Sequence, residues 1–219
     1  VFTPLHPYTS FSSFIPVYME RLGKYSEALV QHRQALSLYQ ALKNSERDQA
    51  DCRVNLGAVF NDLDKYDEGL EQYRQALTLY ESLKDSEQSQ ADCHTNLGLL
   101  LGNLSKHEEA LAEHQAALKL YRALPGSALD QAGCYASLGS TLASLEKYDD
   151  ALEPLRHALS LFQALSGTER KQAGCHKHLG EALAHSDKFE EAAQHYQTAA
   201  ALYQALPDTE RELAACHHK

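Results

Sequence analysis

The chain has 219 residues, 43% of them hydrophobic and 23% charged, a balance that excludes disorder and suits a folded protein. It carries 30 acidic against 20 basic residues, a net charge of -10. An acidic chain without a Lys/Arg stripe is unsuited to nucleic acid, whose binding depends on phosphate neutralisation. No apolar run approaches the roughly 20 residues needed to cross a bilayer, and no basic-then-apolar leader opens the sequence. The expectation is a cytoplasmic protein with neither a nucleic-acid nor a membrane partner.

The first sixteen residues, VFTPLHPYTSFSSFIP, hold three prolines and three phenylalanines. They read as an extended lead-in or a damaged first helix, because Pro16 falls where the later units have a mid-helix glycine. An apolar, proline-containing segment of this kind also suits a peptide that folds back into a groove of its own protein. From residue 17, VYMERLGKYSEAL joins the pattern of the later units, giving an incomplete first unit over 17–43.

Four complete units follow. In QADCRVNLGAVFNDL, Cys52, Leu56, Phe60 and Leu63 form one stripe of a helix over 46–63. In DEGLEQYRQALTLYESL, Leu70, Tyr73, Leu77, Tyr80 and Leu83 form a second stripe over 67–83. The same reading gives helix pairs over 87–104/108–124, 128–145/149–165 and 169–186/190–206. TERELAACHHK then starts a further helix over 210–219. Cys52, Cys93, Cys134, Cys175 and Cys216 recur every 41 residues, as do Tyr39, Tyr80, Tyr121, Phe162 and Tyr203. A period of this size predicts an all-α solenoid of stacked antiparallel helix pairs.

The punctuation fits the period. Ser45, Ser86, Ser127, Thr168 and Thr209 precede each first helix as expected N-caps. Acidic pairs such as Asp67–Glu68 and Asp149–Asp150 open each second helix, complementing its dipole. Pro125 and Pro207 follow second helices, and Pro154, near the start of one, predicts a mild bend. Gly57, Gly98, Gly139 and Gly180 sit mid-helix, where glycine costs about 1 kcal/mol relative to alanine. A repeated cost implies close approach of the paired helix, with Ala76, Ala117, Ala158 and Ala199 as the expected matching contacts.

The cluster CHKHLG, Cys175 to Gly180, resembles a metal or cysteine–histidine site until the period is applied. Cys175 then belongs to the apolar stripe, where a thiol behaves as a small hydrophobe. Five cysteines without CxxC spacing exclude a disulfide framework and a zinc ribbon and favour a reducing compartment. Copies one repeat apart lie about 10 Å or more from each other, beyond the roughly 7 Å reach of a disulfide. His178, Glu181 and His185 fall within about 60° on one helix face, two imidazoles and a carboxylate that could bind zinc, but the expectation is a polar groove wall with no metal. No phosphate loop, nucleophile elbow or HExxH is present, so neither catalysis nor a cofactor is expected.

The stretch NLGAVFNDLDKYDEGLEQYRQAL resembles a tetratricopeptide repeat, with Leu56-Gly57 in the first helix, Tyr66 at the turn and Ala76 in the second helix. Ala110, Ala151 and Ala192 recur early in the second helix, where the second unit has Gly69. The resemblance runs over about residues 17–219. It departs at the early aromatic, replaced by Arg53, His94, Tyr135 and His176, and in a period longer than the usual 34, as in kinesin light chains and Pins-type polarity adaptors.

The resemblance implies a right-handed superhelix whose first helices line a concave groove for a partner peptide or helix. Carried over, that groove holds Asp51, Val54, Asn55, Ala58, Asn61 and Asp62, then Asp92, Thr95, Asn96, Leu99 and Asn103. It continues with Ala136, Ser137, Ser140 and Ser144, then Lys177, His178, Glu181 and His185. The family's clamp for an acidic C-terminus is not expected, because Val54, Asp51 and Asp92 occupy its cation positions and only Lys177 matches. The implied function is a non-catalytic adaptor with a protein partner. The alternatives are a scaffold whose copies associate end to end through incomplete terminal repeats, and the sensor arm of a larger protein.

Overall fold

The computed structural model describes residues 25–207, 209, 212, 215 and 216. The lead-in over 1–16, the opening of the first unit at 17–24 and most of the helix expected over 210–219 lie outside the described residues. Among the described residues there are nine α-helices and no strand. They are α1 (Tyr25–Gln40), α2 (Glu46–Asp62), α3 (Tyr66–Glu81), α4 (Glu87–Asn103), α5 (His107–Ala123), α6 (Ala128–Ser144), α7 (Tyr148–Gln163), α8 (Glu169–His185) and α9 (Phe189–Gln204). The chain divides into two compact units at Leu104/Ser105. In unit 1, α1 to α4 pack consecutively and α2 also touches α4; in unit 2, α5 to α9 pack consecutively and α6 also touches α8. The fold is an all-α repeat in which α2, α4, α6 and α8 are the first, or A, helices and the others are B helices.

The A helices α2, α6 and α8 end the same way. The amide of Lys147 donates to Leu142 O (2.9 Å) and that of Glu146 to Ala143 O (3.0 Å). This is the double bond of a Schellman close, which needs a left-handed residue after the cap. Glu146 supplies it at φ 58°, and Asp64 and Asp187 do so at 57° and 59°. No glycine stands at these positions, so the αL strain of an L-residue, about 1 kcal/mol, remains in the fold. Glu146→Gly is therefore expected to raise stability by up to about 1 kcal/mol, less the extra entropy of the unfolded chain, read as a higher urea midpoint with unchanged slope.

The mid-helix glycines are seats for side chains. A Cβ on Gly57 would lie 2.8–2.9 Å from the Tyr73 ring, and one on Gly180 would meet the Tyr196 ring at 2.9–3.0 Å. On Gly139 it would lie 2.5 Å from Leu155 Cγ. The close contact thus comes from the B-helix residue sixteen places on, rather than from Ala76, Ala158 or Ala199, which are nonetheless fully buried. The closest backbone approach involves the small residue early in the B helix. Ala151 O is 3.2 Å from the added Cβ of Gly139, and Gly57 O is 3.2 Å from that of Gly69.

The N-cap expectation is corrected. Ser45, Ser86, Ser127 and Thr168 precede their helices, but none makes a side-chain cap bond. Their hydroxyls point backwards: Ser86 Oγ donates to Tyr80 O (2.6 Å) and Leu83 O (3.1 Å) at the end of α3. Thr168 Oγ1 bonds Phe162 O and Leu165 O in the same way, and Thr209 repeats it on Tyr203 O and Leu206 O. A glutamine four residues on completes the joint, Gln90 Nε2 donating to Ser86 Oγ (2.9 Å) and Gln172 Nε2 to Thr168 Oγ1 (3.0 Å). At Ser86 the backbone (φ -115°, ψ 7°) is outside the extended region that aims an N-cap side chain at the helix amides. The hydroxyl instead adds a bond to the carbonyls at the end of the preceding helix.

Pro154 lies inside α7, which runs unbroken to Gln163. The five cysteines are free and buried. Cys93 Sγ donates to Tyr73 O (3.2 Å) and Cys134 Sγ to His114 O (3.1 Å), and burial pushes the Cys134 and Cys175 thiols up to about 12. These thiols are core groups with no reactive character at neutral pH.

Candidate partner-binding surface

All sixteen candidate residues lie on A helices, and none is fully buried. In unit 1, α2 carries Asp51, Val54, Asn55, Ala58 and Asn61, and α4 carries Asp92, Thr95, Asn96, Leu99 and Asn103. At 100° per residue, Asp48, Asp51, Asn55, Ala58 and Asp62 share one stripe about 80° wide. Asp92, Asn96, Leu99 and Asn103 repeat its last four positions on α4. Leu99 is 50% exposed, the only large apolar side chain of either helix left so open. The two helices meet at their ends, where Asn103 Nδ2 donates to Asn61 Oδ1 (2.9 Å). Asn55 and Asn96 are half-buried on the stripe between.

Two of these residues have internal work. Asp51 accepts a hydrogen bond from Tyr80 Oη at 2.5 Å, bracing α2 against α3. Burial, and then the bond to Asp51, raise the Tyr80 pKa, so the phenol remains a donor at any physiological pH. The sequence alone does not mark this pairing: in unit 2 the same two positions hold Gly133 with Phe162, but also Gly174 with Tyr203, a hydroxyl kept without the acceptor. Thr95 Oγ1 is also engaged, by Ala91 O of its own helix (3.0 Å).

In unit 2 the corresponding residues are Ser137 and Ser140 on α6 and Lys177, His178, Glu181 and His185 on α8. His178 Nδ1 donates to Glu181 Oε2 at 3.2 Å, the only direction a carboxylate allows. The structure does not gather His178, Glu181 and His185 into one cluster. His185 ends α8 and lays its ring on Tyr148 of α7, with centroids 4.2 Å apart and planes 6° from parallel. Among the described residues no group of three or more His, Cys, Asp or Glu is placed to hold a metal ion. Helical spacing alone could not foresee this, because the aromatic partner of His185 comes from a neighbouring helix.

At Arg53, Tyr135 and His176 the early A-helix position that departs from the family aromatic is turned towards the B helix of its own repeat. Arg53 Nη1 donates to Gln72 Oε1 (3.2 Å) and also bonds Gln75. Tyr135 stacks on His157 with centroids 5.2 Å apart. His176 and His195 face each other with Nδ1 atoms 2.9 Å apart, one ring donating to the other. Burial, and then the neighbouring His195, lower the His176 pKa to about 4. His195 is lowered by burial and Arg156, with Glu191 acting the other way. Sequence reasoning had no signal for this pair beyond the residue types.

Among the described residues no helix is long and apolar enough to cross a membrane. The family model described as tetratricopeptide repeat matches residues 17–82 and 89–164. No curated protein sequence matches significantly. Among solved structures, BtubC (BKLC) from P. vanneervenii superposes with a TM-score of 0.80 at 22% identity, over 89% of this chain and 79% of that one. A putative kinesin light chain from Podospora anserina with nearly identical TPR-like repeats gives 0.73 at 13% identity, over 87% and 92%. YrrB, described as a TPR protein with an unusual peptide-binding site, gives 0.62 at 18% identity, over 93% and 87%. At such identities the likeness is one of fold, and the family model, the 41-residue period and the seated glycines agree with it: the chain belongs to the tetratricopeptide-repeat family.

Proposed function

We propose that this protein is a non-catalytic adaptor that takes a peptide or helix of a partner protein in a concave groove lined by its A helices. The observation that carries this is the α2–α4 face of unit 1. It presents an exposed Leu99 beside the half-buried amides of Asn55 and Asn96, on helices whose inner faces are consumed by the core. A leucine left open on a rigid helix face costs solvation that partner contact would recover. An amide donates and accepts at once, so it reads a peptide backbone in either direction. The tetratricopeptide-repeat family supports a protein partner, and YrrB offers a peptide-binding precedent on the same fold.

The double variant Asn96→Ala/Leu99→Ala is expected to weaken binding of a cognate partner about tenfold or more, in the range of a single interface anchor. Helicity and melting temperature should stay almost unchanged, since both side chains face outwards. Loss of folding in the variant would place the pair in the core and end this assignment.

A further inference from the structure

The same face of unit 1 has a charge that the rest of the chain does not repeat. Three of the five residues on the α2 stripe are aspartates, Asp48, Asp51 and Asp62. The following helix adds Asp92 and contains no lysine or arginine. The two arginines of α2 are directed elsewhere. Arg47 Nη2 donates to Lys84 O (3.3 Å) and Asp85 O (3.0 Å) at the turn after α3, and Arg53 is held by Gln72 and Gln75. Among the described residues, Asp48, Asp51 and Asp62 pair with no cation. Burial, and then the charge of Asp51, raise the Asp48 carboxyl. In unit 2 the corresponding stripe of α6 carries Asp130 followed by Gly133, Ser137, Ser140 and Ser144, and that of α8 carries Lys171, His178 and His185 with a single Glu181. The acidity is therefore local to unit 1.

We propose that the α2–α4 face of unit 1 receives a basic segment of a partner protein, its lysine or arginine side chains meeting Asp48, Asp51 and Asp62 and an apolar side chain resting on Leu99. This rests on the adaptor reading and names the chemistry of its partner. The three aspartates span fourteen residues of helix, about 21 Å, the length of some six residues of extended chain. Unpaired carboxylates along such a track attract and orient a cationic segment, and the apolar contact fixes its register.

Calorimetric titration with three acetylated, amidated peptides of one leucine pattern tests this, the remaining positions carrying lysine, glutamine or glutamate. The lysine peptide is expected to bind roughly tenfold tighter than the glutamine peptide, the sum of two or three half-exposed ion pairs. This advantage should shrink at about 1 M salt, where screening reaches about 3 Å. Asp48→Asn/Asp62→Asn should bring the lysine peptide to the glutamine level and leave the glutamine peptide unchanged. Asp51 is kept in that variant because it braces Tyr80. Glu190→Gln/Glu191→Gln, which removes equal charge from α9, should leave the preference intact. Equal binding of the lysine and glutamine peptides, both weakened by Leu99→Ala, overturns the basic partner and leaves the groove standing. A preference lost equally in the α9 variant reduces it to net charge and overturns the site. Binding of no peptide, or binding indifferent to Leu99→Ala, overturns the groove itself.

Discussion

Gly139→Ala is expected to destabilise unit 2 by about 2–3 kcal/mol, although the same change gains about 1 kcal/mol in an unobstructed helix. The added methyl would stand 2.5 Å from Leu155 Cγ, 2.8 Å from its Cδ2 and 3.2 Å from Ala151 O. None of these neighbours can yield cheaply. Leu155 and Ala151 are fully buried, and the leucine atom nearest the methyl is the branch carbon, which rotation about χ2 leaves in place and which rotation about χ1 would drive into packed neighbours. Relief therefore requires α6 and α7 to move apart, which opens the interior on both sides of the contact. Gly133, earlier on α6, supplies the control. A Cβ there meets nothing within 4 Å, so Gly133→Ala should stabilise by up to about 1 kcal/mol. Urea unfolding of the two variants should move the midpoint in opposite directions. Equal midpoints would show that α6 and α7 repack freely and that the repeated glycine is not a steric requirement.

The contrast between these two glycines marks how far the sequence carries. Its 41-residue period identifies Gly139 as a paired-helix contact, because a helix-weakening residue recurs there, and leaves Gly133 unmarked. Helical stripes, the acidic openings of the B helices and the buried cysteines follow from the same spacing, since periodicity encodes which face meets the core. What spacing cannot encode is the direction of a side chain that has two sets of partners. The hydroxyl of Ser86 stands between helix-end carbonyls behind it and helix-start amides ahead of it, and only the backbone angles decide between them. The outward face divides similarly. Leu99 is open where the stripe places it, and Asn61 and Asn103 meet across adjacent A helices. Asp51 is half spent on Tyr80, and His185 leaves its expected companions for Tyr148. Both departures use an aromatic on another helix, information that one helix's spacing does not contain.

The interior also holds a titration that no stripe would reveal. His114, 1% exposed on α5, has an Nδ1 without a hydrogen-bond partner. Burial lowers its pKa to about 4, with Glu113 opposing only weakly. In the unfolded chain the ring titrates near 6.5. Above that value both states are neutral and the full stability is present. As pH falls, the unfolded chain takes up the proton first, so stability is lost progressively between about pH 6.5 and pH 4 and levels off below. The loss assigned to His114 is about 3 kcal/mol, and the depressed His176 adds to it over the same window. His114→Leu removes one of these titrations without opening a large cavity, since Leu155 and the tyrosines Tyr73 and Tyr196 fill the same repeat position. The variant should match or slightly exceed the parent near pH 7, because it buries no unpaired nitrogen. It should lead by about 3 kcal/mol near pH 4, measured as the difference in urea midpoints across a pH series. Parallel curves for the two proteins would mean that the imidazole is already charged inside the fold, or reaches water, at neutral pH.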